Sequence, residues 1–532
     1  MPASTPSPSP LAPLPEAARG EKNKRLFQRR LFRLLLVVAS LLALLTARPY
    51  AGGWNDSSRL ATVESLVDRG TFQIDESIYV DTSRAARPPF DEVAESYARY
   101  GTKDKMLIDR HFYSDKSPVP AVLMAGVYQV LKWCGLNASE RPDWFARLMT
   151  WLFAGAPYVF AVWCVARTAR HLGVPPPWKL LLTASFAFGS LATCYVQHVN
   201  AHILLLGVAA GLCEALTRPP MVGSAKPSPT LRMIWIGTLA GFAYTVDLGA
   251  GPLLTASVGC YLLWRRRIQE PDAQAKEDYG EVLKSEVKCN QIPSLALQAP
   301  AHCMSILIFV LSALPWIVAH HALNYAIAGT IGPGNARPEY FAWPGSGFDS
   351  SNMTGSWNHA SPERAALYAL ELLGGKKGFL LFTLPLVQAI FGAYWLLKSP
   401  PPRSGEGRAR PSLIALTAWA IGTWLIYAAT SRNYSGMCQS VRWFVPLLAP
   451  GFVALMILTR DYPRSRQPLA VLIAGGCLLN FELVARGPWN GRVPWLLWPV
   501  VGLTLTVWVS LWVLEFRSWR RISRLTPGVR TE

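Results

Sequence analysis

The chain has 532 residues, 51 % of them hydrophobic and only 16 % charged, with 21 tryptophans. That balance argues against a large soluble enzyme and points to a membrane protein. Fifty-two Lys and Arg against 33 Asp and Glu give a formal charge of +19, but they cluster in every second connecting loop, a topology signal rather than a nucleic-acid footprint.

Residues 1–15, rich in Pro and Ser, open a disordered basic cytoplasmic tail over 1–30. The basic run Lys22 to Arg33 then leads into an uncleaved signal anchor, with a removed signal peptide as the alternative. A crossing helix needs about 20 apolar residues. Twelve such segments start near Leu31, Leu148, Leu180, Ala201, Met233, Pro252, Met304, Phe379, Leu413, Trp443, Leu469 and Trp495. The stretch Pro118 to Trp133 is also apolar, but at 16 residues it is short and reads as an amphipathic or re-entrant segment on the outer interface.

Basic clusters at Arg167 to Lys179, Arg218 to Arg232, Arg265 to Arg267, Lys398 to Arg410, Arg460 to Arg466 and from Arg517 onward mark the inside. The short loops Gln197 to Asn200 and Leu248 to Gly251 carry no Lys or Arg. The fold class expected is therefore an all-α polytopic membrane protein with about twelve transmembrane helices over 31–515 and both termini cytoplasmic. Its loops are a large first extracytoplasmic one at 48–146, a second outer one at 326–377, a cytoplasmic connector at 265–301 and a basic tail at 516–532. The first outer loop holds 14 of the 33 acidic residues, which marks it as a reaction or recognition surface. Within it, Asp56 to Asp68 has helical apolar spacing closed by Gly70, Arg87 to Pro89 is a break, and Asp91 to Tyr100 is a second helix. The segment from Gly329 to Lys377, with Trp343, Trp357 and His359, suits a loop that packs over the first. The nine cysteines are scattered without metal-like spacing. Four Asn-x-Ser/Thr triplets, at Asn55, Asn137, Asn352 and Asn433, all fall on outer segments.

The string Trp54-Asn55-Asp56-Ser57-Ser58-Arg59 puts a carboxylate at a helix start just beyond the first span. Tyr113-Ser114-Asp115-Lys116-Ser117-Pro118 follows, then the interfacial segment and a second span preceded by Arg147. This order resembles the C-type (GT-C) glycosyltransferase fold of the protein O-mannosyltransferases and lipid A aminoarabinose transferases, best over 31–260. The resemblance implies an early Asp in the first outer loop that acts as catalytic base or metal ligand, and a Lys-Pro-rich stretch that helps form the site. Asp56 is the matching carboxylate, with capping of its own helix as the competing role. Asp115 and Lys116 come from the second string.

Where that fold often has a second acid near the third span, this chain has Gln197-His198-Val199-Asn200-Ala201-His202. His198 and His202, four apart, are expected on one helix face, as ligands of a divalent cation, as polar contacts in the cavity, or as interfacial histidines. Metal dependence stays open. Asp247, between two spans, is a functional candidate or the cap of the next helix. Arg442 in Asn433 to Arg442 is placed to grip a lipid phosphate or to snorkel, ahead of Lys376, Lys377 and Arg432.

The expected activity is that of a hexosyl- or pentosyltransferase in a bacterial inner (plasma) membrane. It would move a sugar from a polyprenyl-phosphate donor to a hydroxyl of a lipid, glycan or protein acceptor on the outer face, among membrane lipids and without nucleic acid. One alternative is a twelve-helix secondary transporter, against which stand the acidic outer loop and the missing Gly-x-x-x-Asp-Arg loop at Arg167 to Lys179. The other is a glycan polymerase or ligase, whose large outer loop usually comes late.

Overall fold

A computed structural model describes residues 16–80, 101–219, 229–264, 294–349, 353–355, 357–398 and 409–525. The expected tail at 1–15, the break at Arg87 to Pro89, the helix over Asp91 to Tyr100, most of the 265–301 connector, Lys226, Arg403, Arg408 and Asn352 lie outside the described residues.

Each of the twelve apolar segments falls on a helix. They are α1 (Glu16–Thr46), α4 (Pro142–His171), α5 (Pro176–Phe188), α6 (Ala201–Thr217), α7 (Pro229–Val246), α8 (Ala250–Trp264), α9 (Ser294–Ala328), α11 (Pro385–Lys398), α12 (Ala409–Thr430), α13 (Arg442–Asp461), α14 (Arg466–Arg486) and α15 (Leu497–Leu525). Six of them, α4, α9 and α12 to α15, contain stretches long and apolar enough to cross a membrane, while α6, α8 and α11 include shorter apolar ones. Three further helices, α2 (Trp54–Asp68), α3 (Pro118–Trp133) and α10 (Pro362–Gly374), lie within the segments 48–146 and 326–377, and short helical turns occur at Ala192–Tyr195, Gly334–Ala336, Pro338–Phe341 and Pro463–Ser465.

Several boundaries differ from expectation because helices run past their apolar cores. α1 starts at Glu16 inside the expected tail, α4 starts at Pro142 inside the first outer loop, α9 starts at Ser294 inside the cytoplasmic connector, and α15 continues to Leu525 through the basic tail. Lys, Arg, Glu and Leu are good helix formers, and extending an existing helix needs no new nucleus.

The core and the rim differ in chemistry. On α6 nearly every residue is buried, and Gly207 and Gly211 let it approach Pro157 and Phe160 of α4. On α1, α9 and α15 one face stays open and apolar, with Leu34, Val37 and Leu41, Leu307, Leu311 and Val318, and Leu503, Val509 and Leu514. Such faces suit hydrocarbon as solvent. α3 behaves as the amphipathic segment expected at that place: Met124, Ala125 and Tyr128 are buried, with α3 packing against α2, while Val122, Leu123 and Trp133 remain exposed.

The all-α reading of the first outer loop needs one correction. Strands β1 (Lys105–Ile108) and β2 (His111–Ser114) form an antiparallel hairpin, with Asp109 and Arg110 at its tip in the left-handed region, φ 49° and 69°. Two-residue turns of this kind usually announce themselves with Asn-Gly or Asp-Gly, and here no glycine does. The second outer segment closes over this hairpin as expected: Trp343 donates its indole N–H to the Lys105 carbonyl, and Asn335 donates to the Asp115 carbonyl at 2.8 Å.

α7 meets α9 through glycines four residues apart. A side-chain carbon at Gly237 or Gly241 would fall 2.5 Å from the carbonyl oxygens of Phe309 and Ala313, the close backbone approach that small residues permit between membrane helices. Gly241→Ala is expected to destabilise the protein in detergent by about 1–3 kcal/mol, read by tryptophan fluorescence on heating. Gly502→Ala on the open face of α15, where an added carbon meets nothing within 4 Å, is expected to leave the midpoint unchanged or raise it. Equal midpoints for Gly241→Ala and wild type would sink this account of the α7 and α9 contact.

Candidate active site

α2 begins just beyond α1, and its first turn sets the geometry of the site. Gly53 occupies the N-cap position, so Asp56 stands third in the helix and reaches back. Its Oδ2 accepts from the Gly52 amide at 2.7 Å and its Oδ1 from the Gly53 amide at 2.8 Å. This is the carboxylate half of a capping box, so the capping role foreseen for Asp56 is real, from the N3 position. It is not the whole role. His198 Nδ1 lies 3.3 Å from Asp56 Oδ2, at ion-pair distance but off the line of a hydrogen bond. Gly52 makes this approach possible, because a side-chain carbon there would sit 2.4 Å from both His198 Cε1 and Trp489 Cδ1.

His198 and His202 do not share a helix face. α6 starts at Ala201, Asn200 caps it by accepting from the His202 amide at 2.8 Å, and His198 lies in the bend before it. The polar Asn200 ends the turn and so separates the two rings. His202 instead places Nδ1 3.2 Å from Asp247 Oδ2. Among the described residues no three His, Cys, Asp or Glu side chains converge as metal ligands, so the divalent-cation reading finds no ligand set in this pair.

Asp247 sits in the connection between α7 and α8 and joins both of its anticipated roles. Its Oδ1 accepts from the amides of Gly249 and Ala250, capping α8, and from the Tyr427 hydroxyl at 2.9 Å. Tyr427 in turn lies flat on Trp443, ring centres 4.4 Å apart. Burial alone would push the Asp247 carboxyl up. His202, the Ala250 amide and Tyr427 outweigh it and hold the group at about 2.

The hairpin register delivers a third cluster. Pairing of Lys105 with Ser114 sets Asp104 and Asp115 at adjoining strand ends, and Lys116 reaches both carboxylates at 2.7 Å. Burial and the neighbouring Asp104 push the Asp115 carboxyl up against the pull of Lys116 and Arg59. Lys116 is therefore neutralised by two acids rather than free. It borders a narrow cleft with Ser117, His320, Asn324 and Asn335.

Arg59, one turn along α2 from Asp56, is the residue that sequence reasoning quoted without singling out. It is 7 % exposed, and among the described residues its guanidinium makes no hydrogen bond and no ion pair within 4 Å. Burial lowers it to about 10, with Asp115, Asp247 and Asp104 opposing and Arg442 adding to the shift. Arg442 opens α13. Its guanidinium lies over the Trp489 ring at 5.3 Å, its Nη1 is 3.6 Å from Cys438 Sγ, and its Nε has no hydrogen-bond partner among the described residues. By contrast Lys377 donates to the Gly436 carbonyl and Arg432 to the Asn358 carbonyl, tying down the outer segments themselves. Spacing could have flagged Arg59, because Asp56 and Arg59 lie on one helix face. Nothing local flagged Asp104, Tyr427 or Trp489, which arrive through an unforeseen hairpin, a distant helix and a distant turn.

No family model matches the chain, and no curated protein matches it. Among solved structures it is similar to crystal structures of ArnT from Cupriavidus metallidurans, one bound to undecaprenyl phosphate and one in the apo state. Each is 12 % identical with a TM-score of 0.45, over 90 % of this chain and 75 % of that one. It is also similar to the apo oligosaccharyltransferase of Archaeoglobus fulgidus, 13 % identical with a TM-score of 0.42, over 87 % of this chain and 56 % of that one. Likenesses at this level leave the activity to be argued from the residues.

Asp247 gives a pH test. Its folded value lies below the ordinary one, so it stabilises the fold above about pH 4 and loses that contribution as pH falls through its folded value. A shift from 3.8 to about 2 corresponds to about 2 kcal/mol. The stability gap between wild type and Asp247→Asn is expected to be full at pH 7 and to narrow steadily below pH 4. A gap of constant size from pH 7 to pH 3 would contradict the pairing with His202 and Tyr427.

Proposed function

We propose that this chain is an outer-face membrane glycosyltransferase that moves a sugar from a polyprenyl-phosphate donor to an acceptor hydroxyl. The observation that carries the reading is the guanidinium of Arg59, buried and without a hydrogen bond or ion pair among the described residues, with Arg442 as well as Asp115, Asp247 and Asp104 within electrostatic reach. Two like charges held near each other out of water are costly unless an anion joins them, and planar guanidinium groups suit phosphate oxygens. A phosphodiester donor carries one negative charge, and the departing polyprenyl phosphate carries more. Cations there bind the transition state better than the ground state.

The proton is taken by the pair formed by Asp56 and His198. Two backbone amides occupy the carboxylate oxygens of Asp56, so Asp56 acts on the His198 ring as a fixed negative charge 3.3 Å from Nδ1, and the Nε2 lone pair is the accepting atom. The acceptor O–H gives its proton to His198 Nε2 while its oxygen forms a bond to the sugar's anomeric carbon. The bond from that carbon to the phosphate oxygen breaks, and its electron pair leaves with the polyprenyl phosphate. Asp115 and Lys116 border the cleft beside these groups, and the acceptor is a lipid, glycan or protein hydroxyl.

This assignment places both termini in the cytoplasm and the loops at 48–146 and 326–377 outside, in a bacterial inner membrane. The alternating basic clusters support it.

Transfer from undecaprenyl phosphate carrying a radiolabelled sugar is the direct assay. Asp56→Asn and His198→Ala are each expected to lower it about 10²–10⁴-fold, and Arg59→Gln to raise the donor KM about tenfold or more. Undiminished transfer by a folded Asp56→Asn protein removes the pair from the mechanism. The exposed thiol of Cys134, just after α3, is expected to react with an impermeant maleimide added to spheroplasts. Reaction only after lysis would invert the topology and sink the reading.

A further inference from the structure

Close to Arg442 lies a second group of unmade hydrogen bonds, and it is neutral. Gln439 is 2 % exposed, and neither its Oε1 nor its Nε2 meets a partner among the described residues. The indole Nε1 of Trp489 is likewise buried and unpartnered. The two residues are neighbours: the Gln439 amide donates to the carbonyl of Pro488 at 3.0 Å, and Trp489 carries Arg442 over its ring. Folded proteins rarely leave a whole buried side-chain amide without partners. A charged phosphate makes poor use of a neutral donor and acceptor set side by side, whereas a sugar ring offers hydroxyls that both give and accept.

The backbone that carries Gln439 is held in an unfavourable shape. Tyr434, Ser435 and Gly436 are all left-handed, with φ of 47°, 61° and 80°, a conformation that side-chain-bearing residues adopt at some cost. The turn is fastened by Lys377 donating to the Gly436 carbonyl and by the Arg442 amide donating to Ser435 Oγ at 3.1 Å. Gln439 and Arg442 are thus set on one fastened loop, three residues apart.

We propose that Gln439 is a specificity-determining residue that reads the sugar of the donor. Its amide, with the Trp489 indole N–H, pairs with hydroxyls of the ring whose phosphate Arg442 holds. The inference rests on the glycosyltransferase reading above. A buried polar group matched to a hydroxyl rejects a ligand that lacks it far more strongly than an apolar pocket does.

The test uses the full chain in detergent and measures binding of undecaprenyl phosphate alone and of undecaprenyl phosphate carrying glucose, galactose, mannose or an aminopentose. Wild type is expected to bind at least one sugar-bearing lipid about tenfold more tightly than the bare lipid. Gln439→Leu and Gln439→Met are expected to lose that increment, to keep bare-lipid affinity within about twofold, and to melt no lower than wild type, because removing an unpaired buried amide relieves a cost. If either variant keeps the increment, or if both lose bare-lipid binding and melt lower, Gln439 does not read the sugar. A wild type that binds bare lipid without any sugar increment overturns this inference and leaves the phosphate site standing. A wild type that binds no undecaprenyl phosphate overturns the glycosyltransferase reading, and this one with it.

Discussion

A charge taken out of water must be met by another charge, by hydrogen bonds or by a ligand. Where helix ends meet the segments 48–146 and 326–377, four carboxylates, two histidines and three cations stand within a few side chains of one another. Asp56 is met by two backbone amides and His198, Asp247 by two amides, Tyr427 and His202, and Lys116 by Asp104 and Asp115. These pairings fix where α2, α6, α8, α12 and the hairpin sit relative to each other. Among the described residues the Arg59 guanidinium has no hydrogen bond or ion pair, and that of Arg442 meets only Cys438 and the Trp489 ring, an imbalance that favours an anionic ligand.

The apolar framework was legible because hydrocarbon imposes a length and a composition on any helix that crosses it. All twelve segments proved helical, and α3 showed the one-sided burial expected of an interfacial helix. Their ends were less legible. Glu16 to Arg33 forms helix as readily as Leu34 to Thr46, so the polarity change that marks a membrane boundary is not where the helix stops. The hairpin escaped notice because its turn is made by Asp109 and Arg110 rather than by glycine.

The site divides along the same line. Asp56, Asp247, Arg442, Lys116 and the two histidines stood out as candidates because a charge or an imidazole is conspicuous beside an apolar run. What could not be read was who faces whom. Four-residue spacing suggested that His198 and His202 work together, but the cap at Asn200 falls between them and sends each to a different carboxylate. Tyr427, Trp489 and Gln439 are ordinary residues in an aromatic-rich chain, and only tertiary contact gives them meaning.

The contact at Gly52 has a temporal side. That glycine, in the turn before α2, is pressed between His198 and a tryptophan in the turn before the last helix. During synthesis the ribosome reaches Trp489 only after α1 to α14 have been made. The Asp56 and His198 pair therefore lacks its aromatic wall, and Arg442 the ring beneath it, while all of those helices are being inserted. Local folding of α2 alone cannot close the space around Gly52.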